Sequence, residues 1–245
     1  MYFFFHAFTG AVLGLLIGDI LHDRRWVLLC TFGAVLPDVI DKPLGLLLFG
    51  DSMGYGRGIT HTLMVALVLL LLGLIIWKWL ESPIVMGIAV GVISHQVLDL
   101  MWQMPKYWLY PLYGPVQGGE TTEFFFVLAL SELNNPSEIL LALLIFAGVL
   151  LVVYQDSIRS MFSRHTTAWR WLMTAAALIL AGLSVVCFLA GVLMWEGLKK
   201  QPLRWMGWTG WTLPEEYIIG GTVILLAAYL LWRGYRKVET KNPFP

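Results

Sequence analysis

The stretch "LPDVIDK", Leu36 to Lys42, places two carboxylates, Asp38 and Asp41, inside an apolar run that extends from Trp26 to Phe49. A carboxylate in such a run is costly unless it faces a partner or a polar interior. Pro37 has no N–H to give, which predicts a helix interrupted beside the two aspartates. The surrounding chain is of the same apolar kind. Of its 245 residues 58% are hydrophobic and 13% charged, with a mean hydropathy of +0.74. An average soluble domain is about half apolar and about a quarter charged, so the composition points to an integral membrane protein. Sixteen basic residues balance sixteen acidic ones. That balance argues neither for nucleic acid nor for an anionic surface, so no nucleic acid is expected as a partner, and the apolar composition makes the lipid bilayer the expected one.

Seven runs are long enough to approach a hydrocarbon core that takes about 20 helical residues to cross. They are Tyr2 to Leu21, Trp26 to Phe49, Thr62 to Leu80, Pro83 to Trp102, Glu138 to Tyr154, Trp171 to Trp195 and Tyr217 to Trp232. The expected fold class is all-α: a polytopic membrane helical bundle of about seven spans with one interrupted helix. "FFFVLAL" reads as a short interfacial or re-entrant piece, and the tryptophans of "KKQPLRWMGWTGWTLPEE" as headgroup-level anchors. Cys30 and Cys187 lie in separate apolar runs and read as buried small hydrophobes. "MYFFFHAFTG" lacks a basic leading region and a small-residue cleavage site, so it is expected to be a retained span. With every run crossing once, ten lysines and arginines fall on one side and five on the other, with Lys42 leaning toward the five. That bias predicts a cell-membrane protein with its N-terminus outside and its C-terminus cytoplasmic.

Depth groups the polar residues within these runs. At about 1.5 Å per residue, Asp38 lies roughly 20 Å from the inner end of its run, His95 roughly 18 Å and Asp99 roughly 24 Å from theirs. His6 begins the first run and His61 the third, at the same outer level. His95 and Asp99, in "SHQVLD", are i and i+4 and so share a helix face; Asp38 and Asp41 are i and i+3. Imidazoles with carboxylates are the ligand chemistry of Zn²⁺ or Mn²⁺, and carboxylates also suit Mg²⁺. A divalent ion would neutralise the aspartates and so account for their burial. The expected ligands are His6, Asp38, Asp41, His61, His95 and Asp99. Six exceed the three or four that one zinc takes, which allows one ion or two, or leaves a group over as general base. Asp41 is the candidate for that catalytic role. Arg57, flanked by glycines, is the other catalytic candidate, because its planar fork can bind a phosphate.

The bland readings are a broken-helix cap or a Lys42 ion pair for the aspartates, a hydrogen-bonded pair for His95 and Asp99, an interfacial position for His6, and a first-turn residue after a Thr60 cap for His61. For Arg57 it is a topology marker. Asp19, His22 and Asp23 beside "RR" read as a solvated, ion-paired turn. Glu120 and Glu123 read as solvated loop residues, His165 as interfacial, Glu138 in "NNPSE" as part of a helix N-terminus and Glu196 as a span end.

His6, "LPDVID", "RGITHT", "SHQVLD" and "YWLYPLYG", in that order, make His6 to Gly114 resemble the YdjM-like membrane-bound metal-dependent hydrolases. In that pattern an N-terminal His precedes LPDxD, a basic-glycine turn into Thr-His-Ser, and HxxxD before an aromatic-proline segment. Gly56 stands where many relatives have a His, and Thr62 replaces the Ser. That family is in turn distantly similar to zinc-dependent phospholipase C and P1-type nucleases. The resemblance implies metal-assisted hydrolysis, and the more distant one implies phosphoester substrates. The expected organisation is a metal-site domain at 1–114 followed by additional spans at 115–245. The expected function is hydrolysis of a lipid or lipid-linked phosphoester at the outer membrane face. Buried His and Asp also fit a divalent-metal or proton transporter, or a structural protein whose helices a metal locks. A conduit needs polar residues along its length, whereas here they gather in the outer half.

Overall fold

The computed structural model describes residues 3–44, 57–114, 130, 135, 136, 138–140, 142, 143, 166–197 and 213–241. Every regular element among them is helical: α1 (Phe3–Leu21), α2 (Arg25–Pro43), α3 (Leu63–Leu80), α4 (Ile84–Leu98), the short α5 (Pro105–Trp108), α6 (Thr166–Trp195) and α7 (Pro214–Lys241). Single helical turns also span Ile59–His61 and Met101–Gln103. The protein is thus an all-helical membrane protein. Among the described residues four helices are long and apolar enough to cross a bilayer: Phe3–Leu21, Leu63–Leu80, Met173–Trp195 and Pro214–Arg233. Most of the expected run from Glu138 to Tyr154, the "FFFVLAL" piece, Glu120, Glu123 and His165 lie outside the described residues.

The chain divides into two compact units, Met1–Leu141 and Ala142–Pro245, with the division falling later than Gly114. In the first unit α2 packs between α1 and α4, and α3 packs on α4. The helices sort by polarity. In α3 only Ala66 and Gly73 are buried, and Leu67, Val68, Leu71, Leu72, Leu74 and Ile75 stand exposed as a lipid-facing surface would require. Within the helices, buried polar residues belong instead to α1, to α2 and to the 15-residue α4.

Glycine makes the α2–α4 crossing close. A Cβ on Gly33 would strike the carbonyl oxygen of Ile88, and one on Gly91 would strike that of Cys30. The two backbones therefore touch where larger residues would hold them apart. Pro37 does not interrupt α2, contrary to the sequence expectation, and the helix continues to Pro43. Packing on both sides outweighs the local cost of proline, and the Thr60 hydroxyl donates to the Pro37 carbonyl at 3.3 Å.

The turns are chemically specified. His22 adopts a left-handed conformation (φ 58°) after α1. Asp23 then accepts from the Arg25 backbone N–H at 2.9 Å and from its guanidinium at 2.9–3.1 Å. That side-chain bond holds the Asp23 carboxyl below its usual range, as expected of a solvated, ion-paired turn. The N-cap of α3 is Thr62 rather than Thr60: its hydroxyl accepts from the Val65 N–H at 3.3 Å and donates to the Ile59 carbonyl at 2.7 Å. Glu138 is buried, and its carboxylate accepts from the Phe4 N–H at 2.6 Å, satisfying one of the free donors of the first turn of α1. Both cysteines are free and buried.

In the second unit α6 and α7 pair along their length. The Ser184 hydroxyl donates to the Gly221 carbonyl at 2.8 Å, and Tyr217 is fully buried. The carboxylate of Glu216 accepts from the Leu213 N–H at 2.8 Å, capping α7. Glu196 is exposed just beyond α6.

Candidate metal centre

His6 comes from the first turns of α1, Asp38 and Asp41 from the end of α2, His61 from the turn before α3, and His95 and Asp99 from the end of α4. These positions meet at one end of the first unit, as the depth arithmetic predicts, and His6, Asp38, Asp41, His61 and His95 are all buried.

The centre is a pair of imidazoles. His95 Nδ1 lies 2.7 Å from the Ala34 carbonyl oxygen. A carbonyl only accepts, so Nδ1 carries the hydrogen and Nε2 of the neutral ring presents a lone pair. His61 Nδ1 lies 2.7 Å from Asp41 Oδ2, which also accepts the His61 backbone N–H at 3.1 Å. The same reasoning leaves a lone pair on His61 Nε2. The two Nε2 atoms face each other at 3.1 Å. Two facing lone pairs repel unless a proton or a cation lies between them.

Two carboxylate oxygens join them. Asp38 Oδ1 is 3.7 Å from both Nε2 atoms, and Asp99 Oδ2 is 4.0 Å from that of His61 and 3.9 Å from that of His95. Donors that share one ion through bonds of about 2.0–2.2 Å stand roughly 3–4 Å apart, and the two nitrogens with either carboxylate oxygen have that spacing. His6, Asp38 and His95 form a further group with all its donor atoms within 4.8 Å of one another, overlapping the group of His61, His95 and Asp99.

Each of the four has a partner behind it. Lys42 Nζ holds the other oxygen of Asp38 at 2.8 Å, so the expected ion pair and the inward-facing oxygen coexist on one carboxylate. His6 Nε2 is 3.1 Å from Asp99 Oδ1, and the His6 ring lies on that of His95 with centroids 4.1 Å apart. Asp41 holds His61, and the Ala34 carbonyl holds His95. Asp41 therefore contacts the imidazole on the side away from the facing nitrogens, where a carboxylate fixes tautomer and ring direction. Arg57 Nη2 reaches Asp99 Oδ2 at 3.6 Å, and its buried Nε meets no acceptor among the described residues.

Residues 1–240 match the YdjM inner membrane protein family. The chain belongs to that family. Membership extends well beyond Gly114, where the motif resemblance stops, and takes in α6 and α7. No curated protein and no solved structure matches the chain.

Two features of this YdjM chain's site carried no signal in the sequence. The Ala34 carbonyl is a backbone group that only the α2–α4 approach brings to His95. Gln96 sits beside His95 and is 3% exposed; its amide donates to the carbonyls of Thr62 and Thr60 on either side of His61. A lone Gln in an apolar helix has no spacing that would mark it.

Proposed function

We propose that this YdjM family member is a membrane-embedded metal-dependent hydrolase acting on a phosphoester of a lipid or lipid-linked substrate at the outer face of the membrane. The observation that carries this reading is the 3.1 Å approach of His61 Nε2 and His95 Nε2 with both Nδ1 atoms already engaged. Asp38 Oδ1 and Asp99 Oδ2 complete a donor set suited to Zn²⁺ or Mn²⁺, with His6 as an additional group and Mg²⁺ as the carboxylate-favoured alternative. A bound divalent ion supplies Lewis acidity and brings the pKa of water to about 7.

The chain's own residues do the rest. Asp41 fixes the His61 tautomer, the Ala34 carbonyl fixes that of His95, and Lys42 keeps one oxygen of Asp38 turned away from the donor set. Asp99 meets both His6 and Arg57. Arg57 has a buried N–H that meets no acceptor among the described residues and a partly exposed guanidinium, which suits it to receive an anionic oxygen of the substrate through a planar fork. A site at the mouth of apolar helices favours an amphiphile that enters from the bilayer. The donors gather at one end of their helices rather than along a path, which favours a closed site over a conduit.

The test is metal analysis of the purified protein, with phospholipid and phosphoester hydrolysis assays on the parent and on the His95→Ala and Asp38→Ala variants. The reading expects bound metal and hydrolysis in the parent and loss of both in the variants. Metal without hydrolysis would favour a structural ion that locks the helices, and metal flux into proteoliposomes would favour transport. Absence of metal after zinc and manganese loading would reject the site itself.

A further inference from the structure

His61 belongs to no long helix. It lies in a single turn, Ile59–His61, so something outside that turn must hold its backbone still if Nε2 is to meet His95. Asp41 takes the His61 N–H. The carbonyls on either side, those of Thr60 and Thr62, both accept from Gln96 Nε2, at 3.3 and 3.0 Å. Gln96 Oε1 in turn accepts from Trp108 Nε1 at 2.9 Å. An indole N–H can only donate, so it dictates which end of the amide is oxygen and leaves the NH₂ group facing the two carbonyls. Every member of this chain is thereby matched donor to acceptor.

Trp108 lies in α5, within the turn that follows α4. Around it Trp102, Tyr110, Leu112 and Tyr113 are exposed, an aromatic surface of the kind that settles at the membrane–water boundary. The hydrogen-bond chain therefore runs from an interfacial aromatic turn, through a buried amide, to the backbone that carries a histidine of the candidate centre.

We infer that Gln96 is a positioning residue for His61, and that Trp108 sets the orientation of Gln96, so that the aromatic turn at 101–113 governs how well the centre holds a cation. This rests on the metal-site reading above and adds a second layer to it. Among the described residues the side-chain hydrogen bonds of Gln96 go to the Thr60 and Thr62 carbonyls and to Trp108, so its hold on His61 runs through the Thr60–Thr62 backbone.

The experiment compares the full-length parent with Gln96→Met, Trp108→Phe and the double variant. It uses two readouts: Zn²⁺ and Mn²⁺ affinity by chelator competition, and hydrogen–deuterium exchange at residues 59–62 in the metal-free protein. Partners behind metal ligands are worth about 10–100-fold in affinity. Gln96→Met is expected to lose affinity in that range, to keep the parent's stoichiometry at saturation and to exchange faster at 59–62. Trp108→Phe is expected to move both readouts the same way by a smaller factor, and the double variant to be no worse than Gln96→Met, because the two bonds are in series. Unchanged exchange in Gln96→Met, or full additivity in the double variant, overturns the inference. If Gln96→Met does not fold, Trp108→Phe alone decides it, with unchanged exchange at 59–62 as the overturning result. A parent that binds neither ion sinks the metal-site reading, and the exchange arm still decides the role of Gln96 independently.

Discussion

His61 and His95 approach Nε2 to Nε2 at 3.1 Å while each directs Nδ1 at an acceptor, Asp41 for one and the Ala34 carbonyl for the other. This arrangement requires something positive between the rings. A shared proton and a divalent ion both satisfy it, and they differ in how they respond to acid. Ion binding needs both imidazoles neutral, so affinity should fall as pH is lowered and one or more protons should be released on binding. Chelator competition at about pH 8 and about pH 6 checks this. Affinity that is equal at the two values, with no proton release into a weak buffer, would mean that the ion displaces no proton from these imidazoles and therefore binds away from the pair.

Asp38 and Asp41 sit three residues apart on one helix and should behave differently. Asp38 turns Oδ1 toward both Nε2 atoms, whereas Asp41 bonds to Nδ1 and to the backbone N–H of His61, away from Nε2. Asp38→Ala should abolish stoichiometric metal binding. Asp41→Asn should retain the stoichiometry at saturation and lose about 10–100-fold in affinity, as expected for a carboxylate behind a ligating histidine. Metal content and affinity measured on the same preparations separate the two roles, and equal loss in both variants would place Asp41 on the ion.

How much of this arrangement could be read in the sequence follows from which quantities are local. Helical rise placed Asp38, His95 and Asp99 at one level, and helical spacing placed His95 with Asp99; both survive in the structure because they depend only on α2 and α4 being regular. The assignment of Asp38 and Asp41 to different sides of His61 depends on the turn that carries His61, which helical spacing does not describe. Pro37 was a misleading signal for the same reason: its local cost is real, but α1 and α4 hold α2 together on both sides. Thr60 in turn looked like the cap of α3, yet Pro37 offers it an acceptor and Thr62 takes the cap.

The close α2–α4 crossing supports the centre and should be intolerant of any side chain. Gly91→Ala would drive a methyl into the Cys30 carbonyl, one helical turn from Ala34, whose carbonyl holds His95. Overpacking of this kind costs about 1–3 kcal/mol. Thermal unfolding in detergent should show the loss, together with weaker metal binding. Gly182 has open space around its position, so Gly182→Ala should leave both properties near those of the parent.

Thr62 offers a narrower test of the α3 start. Replacing Ser, Thr, Asp or Asn at an N-cap by Ala costs about 0.5–2 kcal/mol. Thr62→Ala also removes the hydroxyl that donates to the Ile59 carbonyl at 2.7 Å. It should therefore loosen the turn that carries His61 as well as the first turn of α3, and Thr62→Ser should restore most of both. Thermal unfolding and exchange at 59–65 report on the two effects, and an Ala variant with unchanged exchange would argue that Asp41 and Gln96 hold the turn without the cap.

Arg57 discriminates between a site that merely holds an ion and one that also receives an anion. Its Nη2 is 3.6 Å from Asp99 Oδ2, too long for a strong hydrogen bond, and its buried Nε meets no acceptor among the described residues. A guanidinium already satisfied by Asp99 would have shorter contacts and no orphaned N–H. In Arg57→Gln, metal content should stay at the parent level, because no nitrogen of Arg57 can ligate a cation. The KM for a phosphoester substrate should rise by roughly tenfold or more, since charge-assisted bonds are worth about 1.5–3 kcal/mol. Arg57→Lys should recover only part of this, because a point charge cannot reproduce the fork. Inhibition by inorganic phosphate should weaken in parallel with KM. If Arg57→Gln instead loses its metal while KM for the remaining loaded fraction is unchanged, then Arg57 serves to place Asp99, and anion recognition must be sought elsewhere in the chain.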